Sequence, residues 1–414
     1  MVKAGQGGGQ SLMNEKRQEG FVARFYRSEI AKAVAAFVIV IYMGRLGWDI
    51  ANMFIGDGKP FFADFISFWT AAHSAVGGDP VLPYHYEDFS ARQKELMVWH
   101  KFAFFYPPTW LLYILPLGFL PYMAAVLVFV ILSVGLACWA LAGLAQSSSV
   151  AFFALLWPGL SFGVLHGQNA MLNVALFGGC IAALERRQEI LAGVLIGLMA
   201  YKPHLGVLVP VAFLAGGYWK AFAAAAATTV AVALLSALVF GLETWQAFLD
   251  QVPFANTWLV DAMVPMSKFA SLFGLLRQFD VPLGVASGLQ ALVSILVFVT
   301  VAWIWRGALP VAIKGAVLVS AACLATPFIL DYDLALLAIP VVLLMRLGWP
   351  GGFLRIEAEM LLLAFIAMFF TSGWGLRLDH SAAFLPNVLV FAACIRRAIQ
   401  TNSGIKTELP SPQL

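Results

Sequence analysis

EILAGVLIGLMAYKPHLGVLVPVAFLAGG, residues 189–217, is the stretch on which the topology turns. Read as one span, it exceeds the roughly 20 residues that cross a bilayer upright, and a lysine and a proline interrupt it near the middle. Read as two short spans, 190–202 and 204–217, the chain enters and leaves on one side and turns at Lys202–Pro203. Basic residues near span ends decide between these readings, because they favour the cytoplasmic side. Lys16, Arg17, Arg24, Arg27 and Lys32 put the N-terminus there. With a broken pair at 190–217, Arg186, Arg187, Arg306, Arg346, Arg355, Arg396 and Arg397 fall on the same side. A single span would put Arg306 and Arg346 outside, so the charge rule favours the pair.

Outward from this stretch, apolar runs suggest spans near 31–50, 122–143, 150–165, 170–184, 221–241, 284–305, 311–326, 333–345, 358–372 and 384–395. The composition agrees: 61% of the 414 residues are hydrophobic and only 11% charged, where a soluble domain carries about 25% charged residues. The fold class expected is an all-α polytopic membrane protein with about 10–13 transmembrane helices, including short or broken ones. The short alternating segments of an outer-membrane barrel do not occur. No cleavable leader is expected, since residues 1–29 read as a basic, partly disordered cytoplasmic tail. A single transmembrane catalytic domain spans 30–397, with 51–108 as a first outward loop and 242–283 as a second. Residues 398–414 form a cytoplasmic tail. Cys138, Cys180, Cys323 and Cys394 are scattered in apolar runs without metal spacing. The net charge of +3 resides beside the spans, so no nucleic-acid partner is implied.

The outward side collects nearly every polar residue that is costly in lipid. Asp64, within "FFADFISFWTAAH" (61–73), is a carboxylate among aromatic residues, and such a group is either satisfied or used. It reads as a hydrated interfacial carboxylate or as a general base in an apolar surround. Phe61, Phe62, Phe65, Phe68 and Trp69 suggest an amphipathic interfacial helix around it. Asp57 and Asp79 sit in glycine-rich turns and are explained by them. "HGQN" supplies His166, Gln168 and Asn169, either as a polar turn or as ligands for sugar hydroxyls. Lys202, followed by His204, has apolar runs on both sides and must snorkel, pair or bind an anion. "DYDLALL" places Asp331 and Asp333 around Tyr332. These carboxylates could bind an acceptor, orient Lys202 or hold a divalent cation. "MSKFASLFGLLRQF" reads as a surface amphipathic helix carrying Lys268 and Arg277, cations for a lipid phosphate or for solvent. No Walker A loop, HExxH, GxSxG or dinucleotide fingerprint is present.

"DFISFWTAAHSAVGGDPVLPY" (64–84), "FFYPPTWLLYILPLGFLP" (104–121), 166–208 and "TPFILDYDLALL" (326–337), taken together and in this order, resemble the membrane glycosyltransferases of family 87, in the GT-C superfamily. The resemblance implies an inner-membrane enzyme with both termini cytoplasmic and its active site on the outer, periplasmic face. It would take a sugar, often mannose, from a polyprenyl-phosphate donor to a lipid or glycan acceptor. Asp64 occupies the position of the family's proposed base. Some members carry histidines where this chain has Tyr332 and Asp333. Lys202 with Lys268 or Arg277 would meet the donor phosphate, and one base with in-line attack implies inversion. A monophosphate donor requires no cofactor or metal by charge alone, and a divalent cation at Asp331 and Asp333 stays open. A transporter, flippase or ligase for lipid-linked glycans would share the cavity and the cations. It would also show polar groups on both faces, whereas the cytoplasmic loops "AQSSS" and "LERRQEI" are short and plain. A purely structural membrane subunit would tolerate loss of Asp64 and Lys202.

Overall fold

The computed structural model describes residues 64–96, 102–260, 264–349, 352–371 and 380–403, with Phe62 and isolated positions between 40 and 51. The basic N-terminal tail, most of the first predicted span and Asp57 lie outside these residues. The described chain is helical apart from its turns, loops and an isolated antiparallel bridge between Phe269 and Leu330.

The first loop folds into α1 (Phe65–Val76), α2 (Tyr86–Leu96) and α3 (Pro108–Ile114). α1 differs from the interfacial helix expected from its aromatics: every residue from Phe65 to Ala72 is buried. The cause is close packing. Trp69 Nε1 donates to Leu120 O at 2.9 Å, and a Cβ on Gly118 would lie 2.5 Å from the Ala72 carbonyl oxygen, so only glycine admits this approach. Phe65, Phe68, Tyr106, Trp110 and Phe129 then stack edge-to-face or tilted around the helix, the arrangement aromatic quadrupoles prefer. Asp79 occupies a turn as expected, its Oδ1 accepting from Leu82 N at 3.1 Å.

α4 (Tyr122–Ala145) is a long apolar helix, followed by α5 (Ser148–Leu155) and α6 (Pro158–Leu165), which bend by 53° at Trp157–Pro158. Pro158 lacks the N–H that would continue α5, which accounts for the break. α7 (Ala170–Glu185) and α8 (Glu189–Gly197) follow, then a 3-10 turn over Leu198–Tyr201 and a single helical turn, Pro203–Gly206. α9 (Val209–Gly216) leads into α10 (Trp219–Phe240).

These elements resolve the opening stretch. A Cβ on Gly193 would meet Ala221 and Ala224, and one on Gly197 would meet Ala225 and Thr228, so α8 and α10 run parallel. α9, which links them in the chain, must therefore run antiparallel to both. Its end confirms this: Phe213 and Tyr218 lie against Trp305 at ring separations of 6.1 and 5.7 Å. Residues 189–217 are two short helical segments turning at Lys202–Pro203, as the charge pattern implied.

The remainder comprises α11 (Leu242–Val260), α12 (Leu272–Gln278), α13 (Leu283–Arg306), α14 (Val311–Leu324), α15 (Ala338–Gly348), α16 (Glu357–Ala367) and α17 (Phe384–Asn402). The helix expected around "MSKFASLFGLLRQF" is only partly formed. Lys268 ends a 3-10 turn, Ala270 N then donates to Ile329 O at 2.9 Å, and helix resumes after Ser271, whose Oγ accepts from Gly274 N. Pairing with 329–330 competes with local helix, so Lys268 and Arg277 do not share one helical face.

Among the described residues, three helices (α4, α10 and α13) are long and apolar enough to cross a membrane, and four if α5–α6 counts as one bent span. α10 buries little and exposes Leu234, Leu235, Leu238 and Val239. A helix apolar on its outward faces belongs against lipid. The inner helices α14 and α15 are by contrast almost wholly buried. The bundle has two distinct ends. At one, Arg346 donates to Leu144 O (2.9 Å) and to Glu185 (3.0 Å), near Arg186, while Arg397 pairs with Glu357 and Arg306 closes α13. The other end carries Asp64, 166–169, 201–204 and 331–333.

Candidate active site

The turn between α6 and α7 is built for close contact with the start of α1. Gly167 has φ +69°, and a Cβ on it would sit 2.7 Å from Phe62 Cβ and 2.8 Å from Phe65 Cβ. Only glycine satisfies both the left-handed backbone and the contact. The turn is docked by Asp64 N donating to His166 O at 3.2 Å. Gln168 Nε2 then donates to Asp64 Oδ2 at 2.9 Å. Asp64 is half-buried, and its Oδ1 has no hydrogen bond among the described residues.

Tyr106, which was not singled out from the sequence, joins the two halves of the site. Its hydroxyl donates to Gln168 Oε1 at 3.1 Å, and its ring centroid lies 5.9 Å from Lys202 Nζ. Its backbone is held firmly. Tyr84 hydroxyl donates to Tyr106 O at 3.2 Å, Gln93 exchanges two 3.0 Å bonds with Phe102, and Pro107–Pro108 fix the following dihedrals. Burial pushes the Tyr106 phenol well up, and the charges of Asp333 and Asp64 add to the effect. It therefore stays protonated and acts as a donor. The signal in the sequence was "FFYPP", where a tyrosine precedes two prolines.

Lys202 Nζ donates to Asp333 Oδ1 at 2.6 Å, with both side chains buried. The ammonium also lies 5.1 Å from the Tyr332 ring centroid. Of the roles open to Asp333, orienting Lys202 is the one seen. Asp331 Oδ1 accepts from Tyr332 N at 2.9 Å, and Asp331 is fully buried. The Tyr332 ring is 6.0 Å from His166, and burial, followed by Tyr106, Asp333, Asp64 and Asp331, raises its phenol well above the usual value. His204 lies within electrostatic reach of both Lys202 and Asp333. Asn169 is fully buried beside the Tyr106 phenol, yet neither atom of its carboxamide reaches hydrogen-bond geometry. A buried amide in that state has capacity for a ligand or water.

The structure thus gathers Asp64, His166, Gln168, Asn169, Lys202, His204, Asp331, Tyr332 and Asp333 at one end of the bundle. Lys268 is adjacent to this group through Phe269, which bridges to Leu330, and its ammonium forms no ion pair among the described residues. Arg277 is placed differently, its NH1 donating to Val281 O at 2.9 Å within its own turn. Among the described residues no group of three His, Cys, Asp or Glu side chains is spaced to hold a metal ion.

The sequence profile of glycosyltransferase family 87 matches residues 104–327, more than half of the chain. The match covers Tyr106, the 166–169 turn, Lys202, Lys268 and Arg277, and leaves Asp64 and the 331–333 segment outside its limits. No curated protein and no solved structure matches the chain. An all-helical membrane fold whose polar side chains converge at one end, joined to this profile match, places the chain in glycosyltransferase family 87.

Proposed function

We propose that the protein transfers a sugar, mannose foremost, from a polyprenyl-phosphate donor to a lipid or glycan acceptor at the end of the bundle that carries Asp64. The arginine-rich end is cytoplasmic in this reading and the reaction is periplasmic, with the protein in the inner membrane and both termini inside. The observation that carries the proposal is the juxtaposition around Tyr106 of a carboxylate with a free oxygen and a buried cation.

In the reaction, the acceptor hydroxyl attacks the anomeric carbon as the carbon–oxygen bond to phosphate breaks. Its proton passes to Asp64 Oδ1, and the bond electrons leave with polyprenyl phosphate, which gains a negative charge. Lys202 has three donors, of which Asp333 uses one, so the others are available to the phosphate oxygens. Lys268, beside the 331–333 segment, supplies further positive charge, while Arg277 is held in its own turn by Val281 O. Attack opposite the leaving group inverts the anomeric carbon. His166, Asn169, His204 and Tyr332 offer hydrogen bonds to sugar hydroxyls, and Asp331 and Asp333 hold the cations and backbone in place. No cofactor takes part in these steps.

The test uses protein in nanodiscs with polyprenyl-phosphate mannose labelled in the sugar, plus a host lipid extract. Label transfer by the wild type and its loss in Asp64→Asn at normal abundance is the expected result, with a fall of about 10²–10⁴-fold for a lost base. Full activity in Asp64→Asn sinks the assignment of the base. Movement of labelled donor between leaflets without transfer would favour a carrier of lipid-linked sugars instead.

A further inference from the structure

We infer that Gln168 and Tyr106 form a positioning relay that sets the orientation of Asp64, with Gln168 committed to the carboxylate rather than to sugar. The inference rests on Asp64 as the base. A carboxylate accepts only, so the Gln168 group facing Asp64 Oδ2 must be its NH2. That choice turns Oε1 towards Tyr106, and an amide oxygen there needs a donor. Tyr106 supplies one at 3.1 Å, from a phenol that burial keeps protonated. Each partner therefore dictates the direction of the next, and the chain ends by leaving Oδ1 of Asp64 open.

The relay is anchored at both ends by backbone that cannot easily shift. Gly167, in the left-handed region and against Phe62 and Phe65, fixes where Gln168 starts. At the other end, Tyr84, the Gln93–Phe102 pair and Pro107 fix Tyr106. Gln168 is itself nine-tenths buried, so its rotamer is set by packing as well as by bonds. A base held in this way starts within reach of the acceptor proton, and misplacement of about 1 Å costs up to about 10²-fold in rate.

The relay makes Gln168 and Tyr106 positioning residues, and their loss affects turnover rather than donor affinity. The experiment compares Gln168→Met and Tyr106→Phe, which preserve side-chain volume, with the double variant, using steady-state kinetics. Gln168→Met should lower kcat about 100-fold and Tyr106→Phe about 10-fold, with donor KM within about twofold of wild type. The double variant should be no slower than Gln168→Met, since Tyr106 acts through Gln168. In both single variants the loss should fall on kcat and not on donor KM, the split expected when a base is misplaced and the donor site is intact. A purely structural role would lower the amount of folded protein without that split. If Gln168→Met does not fold, the kcat and donor KM of Tyr106→Phe decide alone.

Wild-type kcat in these variants, with Asp64→Asn inactive, would overturn the relay and spare the base. Effects that multiply in the double variant would also overturn it. Activity in Asp64→Asn would remove the base itself, a separate outcome in the same series.

Discussion

The Lys202 ammonium and the Asp333 carboxylate, 131 positions apart in the chain, meet at 2.6 Å with both side chains buried. The pair ties the turn after α8 to the segment preceding α15. It also determines what a donor phosphate would encounter: an ammonium already oriented, with two donors left. A buried ion pair is weak evidence of net stabilisation, but removing one partner strands the other charge. The pair is therefore a means of holding a buried cation at the end of the bundle that carries Asp64.

Lys202→Met should destabilise the fold by about 3–5 kcal/mol, because Asp333 would remain buried without a counter-charge. Combining it with Asp333→Asn should restore most of that loss while leaving the protein without transfer activity. Thermal unfolding in detergent, followed by the labelled-donor assay, separates the two effects. If the double variant is no more stable than the single one, the pair is not the source of the cost.

Gly167→Ala should disturb catalysis at least as much as stability. The new Cβ must enter a left-handed backbone and meet Phe62 and Phe65 at under 3 Å, a strain of about 1–3 kcal/mol. Relief requires the 166–168 turn to move off α1, carrying Gln168 away from Asp64. A fall in kcat of about 10-fold or more is expected. Unchanged kcat would mean that the turn can shift without disturbing the carboxylate.

Arg346→Ala acts at the opposite end of the bundle, where its guanidinium joins Glu185 and Leu144 O. Loss of these charge-assisted bonds should lower stability by about 2–3 kcal/mol. Donor KM should not change, since no residue of the 64–168–202–333 group is touched. A changed KM at intact stability would place part of the donor site at the arginine-rich end.

Turnover should be unaffected by a chelator. Asp333 is engaged by Lys202, Asp331 accepts from Tyr332 N, and among the described residues no group of three His, Cys, Asp or Glu side chains is placed to hold an ion. The proposed leaving group carries one phosphate, which cations on the chain can meet. The check is transfer rate before and after chelation, with magnesium and manganese added back. Restoration of lost activity by either metal would reassign the 331–333 segment.

Several of these relationships had a visible trace in the sequence. Asp64, Lys202 and the 331–333 segment stand out because charge is costly beside apolar runs, whatever the fold. The turn at Lys202–Pro203 followed from arginine placement, a constraint that acts along the whole chain. Tyr106 left a fainter trace, a tyrosine before two prolines, since a tyrosine in an aromatic loop costs little. The same permissiveness misled the reading of α1. Five aromatic residues suit an interface or a core equally, and Gly118 and Trp69 decided for the core.

Class is thus a property of composition, because the bilayer imposes the same demands on every span: apolar side chains and internally satisfied backbone. Pairings are different in kind. Gln168 with Asp64, Tyr106 with Gln168 and Lys202 with Asp333 join segments whose local patterns say nothing about one another. A hydrogen bond needs atoms within about 3 Å, and periodicity reports only which face a residue occupies. Packing of α1 against the 166–168 turn and closure of 202 onto 333 turned costly residues into an arranged site.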